Sequence, residues 1–166
     1  MKFIDTHTHL YLKQFSEDID DVIANSISNG IDKLLLPNIN SKTTQDMLDL
    51  CKKYPKTCYA MIGLHPCDVK SESIHKELLH VEEMLQKDKF IAIGEIGIDL
   101  YWDKSTLTLQ KEAFMSQINL SKKYKLPIAI HVRDSFSEVI KIVEKLNDEN
   151  LSGVFHCFTG NVEDAK

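Results

Sequence analysis

The feature that most constrains the fold is an alternation: short apolar runs and longer helix-patterned stretches follow one another along the 166 residues. The runs are Lys2–Asp5, Lys33–Pro37, Cys58–Leu64, Phe90–Glu95, Pro127–His131 and Gly153–His156. Lys33–Pro37 (KLLLP) is apolar without interruption, as expected of a strand buried on both faces. Between the runs, Asp18–Asn29, Thr44–Tyr54, Ser73–Gln86, Leu107–Tyr124 and Ser135–Leu146 are predicted helices. Gly30 is placed to stop the first and Ser41 to cap the second, and Asn161 is expected to start a sixth. Six consecutive βα units predict a parallel sheet with helices outside it.

Two architectures satisfy that pattern, an open doubly wound sheet and a (β/α)8 barrel. The first run is not followed by the G-x-G-x-x-G expected of a dinucleotide fold. Instead His7, His9, Glu95, His131 and His156 all fall at or just past the C-terminal end of a predicted strand, the functional face of a TIM barrel. The predicted fold is therefore α/β, a TIM (β/α)8-type barrel present as about its first six βα units. A full barrel takes about 250 residues. Residues 1–166 are thus expected to be a single barrel domain truncated on its C-terminal side, with an open edge that offers a route to self-association.

Composition narrows the partners. A net charge of -5 argues against gripping nucleic acid by a broad basic surface, but leaves room for a substrate held locally by metal ions and a few cations. Cys51, Cys58, Cys67 and Cys157 form no C-x-x-C pair and read as idle thiols of a reducing compartment. With no signal-peptide pattern at the start and no run long enough to span a bilayer, the expected location is the cytoplasm, with no membrane partner.

His7-Thr8-His9 places two imidazoles on one side of an extended segment, as a shared metal ion requires. Asp5 has the parity to orient one of them or to join the site. Glu95 sits among apolar residues and glycines, where a carboxylate must be paired or metal-bound. His131 and His156 end consecutive strands, and with the others they make a nitrogen/oxygen set suited to Zn, Mn or similar ions. His65 follows a strand on the same face, open to roles as ligand, phosphate hydrogen-bond donor or proton donor. Arg133 offers a planar fork for phosphate. Trp102 serves equally well to stack a nucleobase or to pack a loop, and His75 and His80 read as solvent-facing.

Taken together, the stretches at 5–10 (DTHTHL), 63–66 (GLHP), 94–99 (GEIGID), 130–134 (IHVRD) and 156–160 (HCFTG) resemble the TatD-type metal-dependent deoxyribonucleases, in family order and across the whole chain. The resemblance implies a TIM barrel, two divalent metal ions (Zn, Mn or Mg) and hydrolysis of phosphodiester bonds in DNA, with 3′-5′ exonuclease action. It implies His7, His9, Glu95, His131 and His156 as metal ligands, Glu95 bridging and catalytic, with His65 and Arg133 at the substrate phosphate and His65 also a candidate catalytic proton donor. It also implies a further acidic ligand in a Glu-Thr-Asp-type motif beyond the 156–160 stretch, and no such motif occurs through Lys166. Two other readings stay open: an amidohydrolase-type deacylase or lactonase acting on a small substrate, and an inactive truncated metal-binding module.

Overall fold

Each predicted strand forms, and their parallel pairing follows chain order. A computed structural model describes residues 1–158 and 160–165. The strands are β1 (Phe3–Asp5), β2 (Ile31–Pro37), β3 (Cys58–Ile62), β4 (Ala92–Asp99), β5 (Ile128–Arg133) and β6 (Gly153–Phe155). They make one sheet in the order β1-β2-β3-β4-β5-β6, every neighbouring pair parallel. The helices between them are α1 (Ile19–Ser28), α2 (Thr44–Lys53), α3 (Ile74–Lys87), α4 (Leu107–Tyr124) and α5 (Phe136–Leu146). The result is a curled half-barrel of the TIM type.

Strand alternation separates two apolar faces. Leu34, Leu36, Ile62, Ile93, Ile96 and Ile98 join Phe114 and Ile118 of α4 in the main core between sheet and helices. Leu35, Met61, Ala92 and Ala129 form a separate small cluster on the inner face. The middle of the sheet is the best covered: all eight residues of β4 are buried. The outer strands are short and open, with Phe3, Ile4 and Val154 exposed.

Helix α4 is tied to two strand ends by buried glutamines. Gln117 accepts from the Leu64 N–H at 2.7 Å and donates to the Leu64 carbonyl at 3.2 Å. Gln110 does the same for Asp99, at 2.8 and 3.0 Å. Each side-chain amide satisfies a backbone pair that has no strand partner there.

Four local expectations need correction. The fourth strand runs on from Glu95 to Asp99, so Glu95 lies inside β4 and not at its end. A bulge makes this work: Ile93 pairs with Ile128 and Ile96 with Ile130, so Gly94 and Glu95 together face Ala129. A Cβ on Gly94 would come within 2.7 Å of the Ala129 Cβ, which is why glycine precedes the glutamate. Helix α2 starts at Thr44 as expected, but Ser41 does not cap it; its backbone N–H and hydroxyl instead donate to the Glu77 carboxylate, at 2.7 Å each. His80 is not idle at the surface, because its Nε2 meets Thr44 Oγ1 at 2.9 Å. The sixth helix is a single turn: Asn161 Oδ1 accepts from the Glu163 and Asp164 N–H groups, and Ala165 N–H bonds Asn161 O. Among the described residues no helix is long and apolar enough to cross a membrane.

Candidate metal centre

The C-terminal ends of the strands surround a cavity of about 390 Å³ lined by His7, His9, His65, Glu95, His131, Arg133 and His156, with Val132 and Cys157. All seven candidate residues from the sequence therefore meet in one place. Thr159, part of the last sequence motif, lies outside the described residues.

Glu95 is the hub, buried to 3% exposure. Its Oε2 faces His7 Nε2 at 3.0 Å, with His9 Nε2 and His65 Nε2 each at 3.6 Å. Its Oε1 faces His131 Nδ1 at 2.8 Å. Burial would raise this carboxyl, but hydrogen bonds from His131 and His7 outweigh it and hold the group well below the usual carboxylate range. Glu95 is also the only carboxylate among the described residues lining the cavity.

The histidines differ in what fixes them. Tyr11, a residue the sequence reading missed, gives its hydroxyl proton to the Pro37 carbonyl and so can only accept from His9 Nδ1, 2.8 Å away. A neutral His9 therefore carries its proton on Nδ1 and turns a bare Nε2 toward Glu95. His65 is set the opposite way. Its Nδ1 accepts from the Cys67 N–H at 3.1 Å, which leaves the proton on Nε2. Burial lowers the His65 pKa to about 4, so the ring is neutral at neutral pH. His131 is held between two carboxylates, with Nε2 2.9 Å from Asp99 Oδ2. Burial opposes the charged ring, yet Glu95 and Asp99 together raise its pKa.

His156 and Asp5 play looser parts. The His156 ring stacks on His7, centroids 3.4 Å apart and planes 13° from parallel. Burial, followed by the neighbouring His7, lowers its pKa. Asp5 orients rather than joins: its Oδ1 accepts the His7 backbone N–H at 3.1 Å. Asp99, quoted in a motif but given no role, proves to be a buried anchor, with Oδ1 accepting from the Tyr101 and Trp102 N–H groups.

Among the described residues, two groups of ligand atoms lie close enough to share an ion: His7, His9 and Glu95, and His65, Glu95 and His131. Both include Glu95, and no cysteine enters either. The His65 tautomer argues against its Nε2 as a ligand in the second group, because that nitrogen already carries its proton. His156 lies in neither group. Burial lifts the thiols of Cys51, Cys58 and Cys67 to about 12, 11 and 12, consistent with unreactive cysteines.

The chain is similar to known proteins in sequence and fold. The family model for TatD related DNase matches residues 4–166. The chain belongs to the TatD-related DNase family. It is 35% identical to an uncharacterized metal-dependent hydrolase, YabD of Bacillus subtilis (strain 168), over 98% of this chain and 63% of that protein. It is 31% identical to the 3′-5′ ssDNA/RNA exonuclease TatD of Escherichia coli (strain K12), over 96% of this chain and 61% of that one. The crystal structure of YJJV, a TatD homolog from Escherichia coli K12, superposes with a TM-score of 0.88 at 29% identity, covering 98% of this chain and 62% of that one. The chain thus spans about three-fifths of the length of these relatives.

Proposed function

We propose that this chain carries the metal-binding half of a divalent-metal-dependent phosphodiesterase that removes nucleotides from the 3′ end of DNA. A single barrel domain, two ions of the Zn, Mn or Mg kind and a cytoplasmic setting are parts of that reading. The observation that carries it is the pair of acceptors at the hub. His9 Nε2, bare in the tautomer Tyr11 imposes, faces Glu95 Oε2 across 3.6 Å. Two lone pairs aimed at one space repel unless a cation lies between them.

The donor set fits such ions. Imidazole nitrogens and a carboxylate without thiolate suit borderline and hard divalent metals. In the proposal His7, His9 and Glu95 would hold one ion, and His131 with Glu95 would hold a second. His156 is assigned to the site by its place in the cavity and by the family resemblance. Bound there, the ions would lower the pKa of a coordinated water and offset phosphate charge.

The chain's own groups then have distinct tasks. Glu95 stays ionised and presents one oxygen to each side. Tyr11 and Asp99 fix the ring orientations of His9 and His131. His65 donates its Nε2–H to a phosphate oxygen, a role its neutral ring supports better than proton transfer. Arg133 supplies the fixed positive charge at the cavity wall, where a phosphate would gain two parallel hydrogen bonds.

Titration of the metal-free chain with Mn²⁺ or Zn²⁺, followed by calorimetry, tests the hub. Two ions should bind, and Glu95→Gln should weaken both by roughly 100-fold or more, beyond the effect of a supporting residue. Unchanged affinity in that variant would sink the assignment. Parallel assays with a 5′-labelled single-stranded oligonucleotide and with lactone, ester and amide substrates address the chemistry. Turnover of the small substrates alone would favour the deacylase or lactonase reading. Metal binding without turnover of either would favour a metal-binding module.

A further inference from the structure

Beside the cavity, at the ends of β4 and β5, lies a cluster that the metal centre does not use. Arg133 lines the cavity, and its guanidinium carbon is 3.8 Å from the Tyr101 ring centroid and 5.5 Å from that of Trp102. The two aromatic rings meet edge to face at 4.8 Å. Trp102 is the chain's single tryptophan and Arg133 its single arginine, in a sequence whose other basic residues are all lysine. Among the described residues no ion pair involves Arg133, so its charge is not spent on a neighbouring carboxylate.

Loop packing does not account for these rings. Trp102 is 70% exposed and Tyr101 53% exposed, so neither is buried under the loop it belongs to. The loop is held by polar bonds instead. Asp99 Oδ1 accepts from the Tyr101 and Trp102 N–H groups at 3.0 and 3.2 Å, and Leu100 N–H bonds the Arg133 carbonyl at 2.9 Å. Gln110 of α4 fixes Asp99 in turn. A hydrogen-bonded loop that presents an exposed indole beside a guanidinium stacked on Tyr101 and paired with no described carboxylate has the composition of a stacking surface for unpaired bases, in which the indole takes the base and arginine takes the phosphate.

We infer that Tyr101, Trp102 and Arg133 form a nucleobase-stacking platform that makes this site select single-stranded over double-stranded nucleic acid. The inference rests on the nuclease reading above and adds what sets its strand preference. Bases inside a duplex have both faces covered and a terminal pair exposes only one, so an unpaired base lies on the indole far more readily. The ring takes any base, because every base has a π-face, and sequence preference should be weak. Asp99 joins the platform to the metal centre, since its other oxygen bonds His131.

The single tryptophan is its own probe. Titrating the chain, with Mg²⁺ present, with a short phosphorothioate-linked oligodeoxyadenylate should quench Trp102 emission. The same strand annealed to its complement, and an abasic strand with the same backbone, should quench little. In anisotropy measurements with labelled oligonucleotide, Trp102→Ala should weaken single-strand binding roughly tenfold and Trp102→Phe much less, while the affinity for Mn²⁺ stays unchanged. Equal binding of abasic and base-bearing strands, or an unchanged affinity in Trp102→Ala, would overturn the platform and leave the nuclease reading standing. Failure of any oligonucleotide to bind the unaltered chain would overturn both.

Discussion

The middle of the sheet and its two margins carry the same kind of residue in different ways. Glu95 and His131 sit on β4 and β5, under helices, joined by a short hydrogen bond to each other, and His131 is held from its other side by Asp99. His7 and His156 follow β1 and β6, strands of three residues with two exposed, and they lean on one another ring to ring. The centre is thus preassembled by packing, whereas the margin takes its order from a few individual contacts. Rigid support from the scaffold is what holds a ligand in productive geometry. Under the proposed function, the centre fixes the carboxylate and the margin would complete the ligand set.

The largest effect should come from the hub. Glu95→Ala removes the partner of a raised-pKa histidine in a buried setting, where breaking an ion pair costs about 3–5 kcal/mol. The low end is expected, because His131 can shed its proton once Glu95 is gone; urea denaturation of the metal-free chain measures it. Packing supplies the second contrast. Ile96→Ala in β4 should cost about 2–5 kcal/mol, the range for emptying a closed core position. Val154→Ala in β6, 62% exposed, should stay within about 0.5 kcal/mol. Comparable losses at the two positions would break the distinction between centre and margin.

A subtler test addresses how the margin is ordered. Tyr11→Phe keeps the ring but frees His9 to change tautomer, and metal affinity should fall by about 10–100-fold with little change in stability. The smallest effect is a pH dependence in the metal-free chain. His131 is raised above its ordinary 6.5, so its contribution is complete below that value and is lost as pH rises through the folded pKa. Glu95 is lowered from 4.5, so its contribution is present above that value and declines as pH falls below it. Melting temperature against pH should therefore be highest between about 4.5 and 6.5 for this pair, and Glu95→Gln should flatten the profile.

The same contrast explains what was legible in the sequence. Strand cores announced themselves because parallel strands covered on both sides need unbroken apolar runs, as at 33–37. The length of β4 did not, since Gly94, Glu95, Gly97 and Asp99 dilute its hydropathy although all are buried. The histidines were readable because few other reasons put such groups near strand ends, and Glu95 because a carboxylate among apolar residues needs a partner or a metal. Tyr11 and Asp99 were hidden for the opposite reason: their roles depend on partners distant in sequence, Pro37 and His131, which only folding brings near. Gln110 and Gln117 would pass as surface residues of an amphipathic helix, and nothing in their spacing reveals the backbone groups they serve.

Those two glutamines give α4 an unexpected role as a measuring stick. They stand seven residues apart, two helical turns, on one face of the helix, and they grip Leu64 and Asp99. At 1.5 Å per residue the interval is about 10 Å, and it fixes the separation between the loop that carries His65 and the strand end that carries Asp99. Adding one residue between them would swing one glutamine about 100° around the axis and release its loop. Variation in length across related chains should therefore collect outside this interval, leaving the stretch from Gln110 to Gln117 as a gauge that the face bearing the histidines cannot lose.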